Sequence, residues 1–164
     1  MKEKKYIKLG VYVIFVSLLF LCAFMTGCNS TIFGENDSSG FTDFEHIEQE
    51  FLQTVEELNW PESATIPTEL KGETADSFQV GYGNTRASMM WECAWEKEWL
   101  ETYTSDPERA EKALEELEKA PEMPYMSPQK CDDATREYFA DNLEKAKLGD
   151  PSGFEENIRL NCPE

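Results

Sequence analysis

The chain has 164 residues and carries 15 Lys and Arg against 33 Asp and Glu, a formal net charge of −18. This length allows one small domain, and the negative charge excludes nucleic-acid binding because affinity for phosphate depends on Lys and Arg releasing counterions. With one His and no recognisable catalytic motif, we expect no enzyme activity, no cofactor and no metal site.

The amino terminus has the pattern of an export signal. Four Lys lie among the first eight residues, and residues 9–25 then run without a charged side chain. A basic segment followed by an apolar one is typical of a secretory signal peptide. Removal of residues 1–27 would take away four Lys and one Glu, so 11 Lys and Arg would remain against 32 Asp and Glu, a net charge of −21.

The apolar run ends at Met25-Thr26-Gly27-Cys28. This tetrapeptide resembles the lipobox of bacterial lipoproteins, in which small residues precede a Cys. The resemblance implies that Cys28 is lipidated and becomes the mature amino terminus. It covers only the signal, and the exported domain shows no resemblance to a known family.

The same apolar segment is also long enough to be an uncleaved membrane anchor, because about 17–25 apolar residues can span a bilayer. In both cases the basic flank stays on the cytoplasmic side and the acidic part is exported. We therefore expect a protein at the cell membrane, lipid-anchored or single-pass, with an extracytoplasmic domain at residues 41–164. Residues 28–40 are small, polar and rich in Gly and Ser, so they predict a flexible tether.

The domain begins with a predicted amphipathic helix. Apolar residues recur there at spacings of three and four, at Phe44, Ile47, Phe51, Val55 and Leu58. Thr42 and Glu45 form a capping-box pattern before them, and Pro61 ends the segment. His46 falls almost opposite the apolar stripe, so we expect it in solvent, without a designed partner and without a catalytic role.

Residues 61–83 lack a sustained periodicity and predict a long connector with a short extended piece at 78–80. A connector of this length is commonly functional or mobile. Its end, Gly81-Tyr82-Gly83, is similar to a phosphate-binding turn before a helix, but Arg86 stands where the dinucleotide pattern has Gly or Ala. We interpret the glycines as turn residues, with Asn84 or Thr85 capping the next helix.

A helix predicted at about residues 85–103 carries Trp91, Trp95 and Trp99 on one face, because they are four residues apart. Two interpretations follow. In the first, the three indoles form the core of the bundle. In the second, they and Trp60 form a surface that binds a sugar ring or a partner protein, since indole offers an apolar face and an N–H donor. We favour the core because large aromatic side chains are on average highly buried.

The remaining sequence predicts three shorter helices. One begins at Ser105-Asp106-Pro107 and has an Ala-rich apolar stripe that allows close approach to a bulky neighbour such as the Trp face. Another, carrying Cys131, follows the break at 123–128 and ends near residue 148. The last places Phe154 and Cys162 on one face. The predicted fold is therefore all-α, a small bundle of four to five short helices.

Three cysteines belong to the exported domain, where oxidation is expected and one of them must remain unpaired. If the last helix folds back on the preceding one, Cys162 lies about 12 Å along the helix from Cys131. A disulfide tolerates only about 7 Å between Cα atoms. We therefore predict a disulfide between Cys93 and Cys162, with Cys131 reduced and buried. None of the three has the paired short spacing of a zinc site.

Adjacent acidic residues could serve glycoside hydrolysis or calcium binding, but the sequence has no signature for either, and we interpret them as a solvated face. These pairs are Glu115-Glu116, Asp132-Asp133 and Glu155-Glu156. Our first functional hypothesis is a non-enzymatic surface lipoprotein that binds a protein or envelope component through the 61–83 connector or the Trp helix. The alternative is a glycan-binding or glycan-cleaving module that uses Trp60, the Trp row and an acidic pair.

Overall fold

A computed structural model describes residues 40–162 of the chain. Its elements follow in the order β1 (Phe41–Thr42), α1 (Phe44–Glu57), β2 (Phe78–Gln79), α2 (Tyr82–Thr102), α3 (Pro107–Leu117), α4 (Asp133–Lys147) and α5 (Ser152–Asn161). Two 3₁₀ turns, Ala120–Glu122 and Pro124–Met126, lie between α3 and α4. The predicted all-α bundle is confirmed, and the two short strands pair antiparallel.

The predicted signal, the lipidation site at Cys28 and nearly all of the predicted tether lie outside the described residues. Within residues 40–162, no helix combines the length and the apolar character needed to cross a bilayer.

Helix α1 buries Ile47 and Phe51 completely, as its periodicity predicts. Its N-cap differs from the prediction: Asp43 caps the helix by accepting a hydrogen bond from the His46 N–H at 3.0 Å. Thr42 lies one position before the N-cap, in β1, because the helix begins at Phe44. The extended piece predicted at 78–80 contains the second strand of this sheet. Its pairing with β1 holds the end of the long connector beside the start of α1.

Helix α2 begins at Tyr82, three residues before the predicted start. Gly81, whose φ is 84°, is the N-cap, and Asn84 and Thr85 lie inside the helix. The N–H groups of Gly81 and Gly83 donate to the Glu50 carboxylate at 2.8 to 3.2 Å. An acidic side chain of α1 therefore satisfies the first turn of α2, where free N–H groups and the helix dipole favour a negative charge.

The three indoles of α2 are the bulk of the core. Trp91, Trp95 and Trp99 are only 1%, 1% and 2% exposed. The core interpretation is therefore confirmed, and these three residues cannot form the alternative surface for a ligand or partner. The Ala-rich face of α3 packs against them, as predicted, because small side chains leave room for the rings. The fully buried Phe154 of α5 meets Trp99 edge to face, with ring centroids 5.4 Å apart.

Residues 58–77 contain no regular element, but hydrogen bonds hold part of this connector against α2. The Asn59 carbonyl accepts hydrogen bonds from both Trp91 Nε1 and Trp95 Nε1, at 2.7 and 2.9 Å. Ser63 Oγ donates to Glu98, a buried carboxylate that also pairs with Arg109 of α3. The first part of the connector is therefore anchored on the core helix.

The predicted disulfide between Cys93 and Cys162 is confirmed, with Cα atoms 5.8 Å apart. Cys131 is unpaired, as predicted, but it is half-exposed and not buried. It also lies before α4 and not on it, because Asp132 caps that helix by accepting from the Thr135 N–H at 2.8 Å.

Candidate functional site

A pocket of about 530 Å³ lies among α2, α4, α5 and the 3₁₀ turn Pro124–Met126. Its polar lining includes two glutamates of α2, and the wall around them is largely aromatic and apolar. The lining residues that matter for its chemistry are Glu92, Glu96, Tyr125, Tyr138, Phe139 and Asn157. A volume of this size is within the usual range for a small-molecule site.

The two glutamates lie one helical turn apart on α2, so their side chains project from the same face. Each follows a core Trp by one position, which turns it about 100° away from the indole row. The binding surface predicted from sequence did not include Glu92 or Glu96, so the pocket was not anticipated. The available signal was their spacing of four on a helix with apolar residues on both sides.

A hydrogen-bond network holds the carboxyl groups in place. Tyr125 Oη donates to Glu92 Oε2 at 2.5 Å. Asn157 Nδ2 donates to Glu96 Oε2 at 2.8 Å and lies 3.4 Å from Glu92 Oε1. Asn161 donates in turn to Asn157 Oδ1 at 2.7 Å, which fixes the orientation of the Asn157 amide. One amide therefore bridges both carboxyl groups from α5.

Two polar atoms that belong to the pocket lining have no hydrogen-bond partner among the described residues. Glu96 is 0% exposed, and its Oε1 is unpaired. The hydroxyl oxygen of Tyr138 is likewise buried and unpaired. A buried polar atom without a partner costs about 1–3 kcal/mol, and such atoms are uncommon in folded proteins. Both atoms could bond to a molecule in the pocket.

Burial dominates the electrostatics of the pair. Desolvation, followed by repulsion from Glu92, raises the pKa of Glu96 to about 9, although the bond from Asn157 opposes the change. Burial also raises the pKa of Glu92 above its usual range, and the bonds from Tyr125 and Asn157 limit that shift. No basic side chain within residues 40–162 forms a salt bridge with either group. Glu96 therefore holds a proton at neutral pH.

Two cysteines line the same pocket. Cys93 belongs to the disulfide, whereas Cys131 is a free thiol whose Sγ lies 3.7 Å from the sulfur of Met126. Burial raises the pKa of the Cys131 thiol, so the nucleophilic thiolate is a minor species at neutral pH. Among the described residues, no group of three or more His, Cys, Asp and Glu is placed to hold a metal ion.

Of the other residues named from sequence, Asp132 lines this pocket, whereas His46, Trp60 and Glu116 lie away from it. His46 is 42% exposed at its side chain, but its Nε2 lies 3.4 Å from Glu50, so the expectation that it lacks a partner is wrong. Trp60 is half-buried and lines a separate groove beside the connector, where its indole N–H donates to the Val55 carbonyl at 2.9 Å. Glu116 is buried and bonded to Asn59, so it is not part of a solvated face.

Comparison with protein-family models, curated proteins and solved structures finds no match to this chain.

Proposed function

We propose that this protein is a membrane-tethered, extracytoplasmic binding module that takes a small ligand in the pocket of Glu92 and Glu96. The basic and apolar amino terminus and the lipobox-like Cys28 support the tether. The observation that carries the binding function is the fully buried Glu96 carboxyl, whose Oε1 lacks a partner in the lining of a 530 Å³ pocket. A ligand that bonds to this oxygen would remove the cost of leaving it unpaired.

The pocket is better suited to binding than the surfaces named from sequence. The indoles of α2 lie in the core, so a partner cannot reach their faces. Several polar groups in the first part of the connector already form hydrogen bonds with α2. The pocket, by contrast, combines an apolar wall with a few fixed polar groups, which is the usual composition of a small-molecule site.

Binding is also favoured over the cleavage of glycans. A glycosidase needs two carboxyl groups that flank a bond of the substrate, whereas Glu96 is completely buried and shares Asn157 with its neighbour. Without exposed indoles on α2, the glycan alternative also loses the row on which sugar rings would stack. A completely buried carboxyl group can meet only the end group of a ligand, which argues against Glu96 acting across the middle of a glycan chain.

A pair of blocking substitutions on α4 tests the proposal. Ala134 is exposed and lines the pocket, so Ala134→Trp should fill its mouth. Ala140 is also exposed but lies outside the lining, so Ala140→Trp provides the matched control. We would follow phenethylammonium, 2-phenylethanol and 3-phenylpropanoate by ligand-observed NMR with the full chain in a non-ionic detergent. At least one compound should bind the parent protein and Ala140→Trp and lose binding to Ala134→Trp. Absence of binding by all three, or equal binding to both variants, would contradict the proposal.

A further inference from the structure

The structure also bears on the chemical class of the ligand. We infer that the pocket selects an organic ammonium ion with an apolar body, which donates an N–H hydrogen bond to the unpaired Oε1 of Glu96. This inference rests on the proposed function, because it requires the pocket to be a ligand site. On binding, the protonated Glu96 carboxyl loses H⁺ to water or buffer, and the resulting carboxylate pairs with the bound ammonium.

The hydrogen-bond inventory requires a donor once Glu96 is ionised. Both oxygens of Glu92 and Oε2 of Glu96 already lie near Tyr125 or Asn157. Of these four carboxyl oxygens only Glu96 Oε1 is without a partner, and Tyr138 Oη, which is also unpaired, belongs to a residue that lines the same pocket. An ammonium group has three N–H donors, so it can satisfy acceptor oxygens that a ligand with a single donor would leave unpaired.

The charge around the pocket favours a cation. Asp132 contributes a carboxyl group from the segment before α4, and Glu92 and Glu96 of α2 can ionise when a cation binds beside them. The other titratable groups of the lining are Tyr125, Cys131, Tyr138 and Lys130, and the Lys130 ammonium donates to the Gly81 carbonyl at 3.0 Å. The net charge of the chain, −18, adds long-range attraction for a cation and repels an anion.

The walls favour an organic cation over a bare metal ion. Tyr125, Tyr138 and Phe139 supply aromatic rings, and Met89 and Met126 supply soft apolar contacts. Aromatic faces attract ammonium groups through the ring quadrupole, and the interaction is strongest where water is excluded. A hard metal ion would instead need about six oxygen ligands around it, and the described residues contain no such group of side chains.

Proton displacement gives the inference a specific signature. Burial and the neighbouring Glu92 raise the pKa of Glu96 to about 9, so binding must remove a whole proton across the neutral range. The affinity for an ammonium should therefore rise by up to about tenfold for each pH unit between pH 6.5 and pH 8.5. A neutral ligand that accepts a bond from the protonated carboxyl should keep a nearly constant affinity over the same range, because the carboxyl stays mostly protonated below its pKa. The amine stays charged throughout, as a Lys side chain does.

The experiment compares phenethylammonium with 2-phenylethanol, which has the same heavy-atom skeleton and no charge. Calorimetry of the full chain in detergent, in phosphate and in Tris, measures affinity and proton release, because the two buffers differ in ionisation enthalpy. We expect the ammonium to bind at least tenfold more tightly than the alcohol at pH 8.5, with release of about one proton at pH 7. Glu96→Gln should abolish both the preference and the proton release, while Glu56→Gln on the exposed face of α1 should change neither.

The outcomes separate this inference from the proposed function. Equal binding of the two compounds, or proton uptake, would overturn the selection of ammonium while leaving the pocket as a ligand site. Failure of both compounds to bind would overturn the inference and, together with failure of 3-phenylpropanoate, the proposed function. If Glu96→Gln does not fold by circular dichroism, Glu92→Gln replaces it and should lower ammonium affinity. The wild-type pH dependence then decides on proton displacement.

Discussion

The buried carboxyl of Glu96 should make the protein less stable as the pH rises. Its pKa increases from an ordinary value of 4.5 to about 9 on folding, because burial penalises its charged form. Between these two values the folded state holds a proton that the unfolded state has lost. The contribution of Glu96 to the free energy of unfolding is therefore complete below about pH 4.5, and it falls as the pH rises toward 9.

Each pH unit in this window corresponds to about 1.4 kcal/mol, so the accumulated loss at pH 7 is about 3 kcal/mol. A small domain is stabilised by about 5–15 kcal/mol in total, so this loss is large enough to measure. Glu96→Gln removes the titration while keeping the shape and the acceptor for Asn157. We expect the variant to be close to wild type near pH 5 and about 3 kcal/mol more stable at pH 7.

The assay is urea unfolding of the full chain in a non-ionic detergent at pH 5, 6, 7 and 8, followed by Trp fluorescence. The buried indoles of α2 report the loss of the core directly. Glu56→Gln removes the same formal charge from an exposed position and should leave the slope against pH unchanged. Glu92 is present in every protein compared, so its own titration largely cancels. A difference between Glu96→Gln and wild type that does not vary with pH would refute the reasoning.

Three further predictions follow from the sequence and the fold. Cys28→Ala should abolish fatty-acid labelling and leave an unprocessed precursor, whereas Cys22→Ala should be labelled normally; unchanged labelling of the first variant would exclude lipidation there. Cys93→Ser opens a loop of 69 residues and should lower the free energy of unfolding in urea by about 4 kcal/mol. Peptide mapping of the native protein without reductant should find Cys131 only as a free thiol. Glu50→Gln weakens the charge-assisted bonds at the start of α2 and should cost about 1 kcal/mol, and a stability equal to that of Glu56→Gln would argue against this role.

Local patterns predicted the helices and the disulfide well. Helical periodicity depends on residues three or four positions apart, so the stripes of Ile47 and Phe51 and of the α2 indoles could be found without the fold. The pairing of Cys93 with Cys162 could be predicted from sequence because only three cysteines had to be placed on predicted helices. Helix starts were less accurate: caps at Asp43 and Gly81 depend on the pairing of the two strands and on the Glu50 carboxylate.

The sequence by itself determined the acidic, helical character of the domain and the faces of its helices, and it predicts an export signal. Only the tertiary structure decided which polar groups lose water. Glu92 and Glu96 look like ordinary charged residues on α2, but Glu96 becomes fully buried and Glu92 partly buried because Asn157 of α5 and Tyr125 of a 3₁₀ turn fold over them. Desolvation depends on every neighbour that excludes water, and those neighbours come from segments more than 30 residues away along the chain.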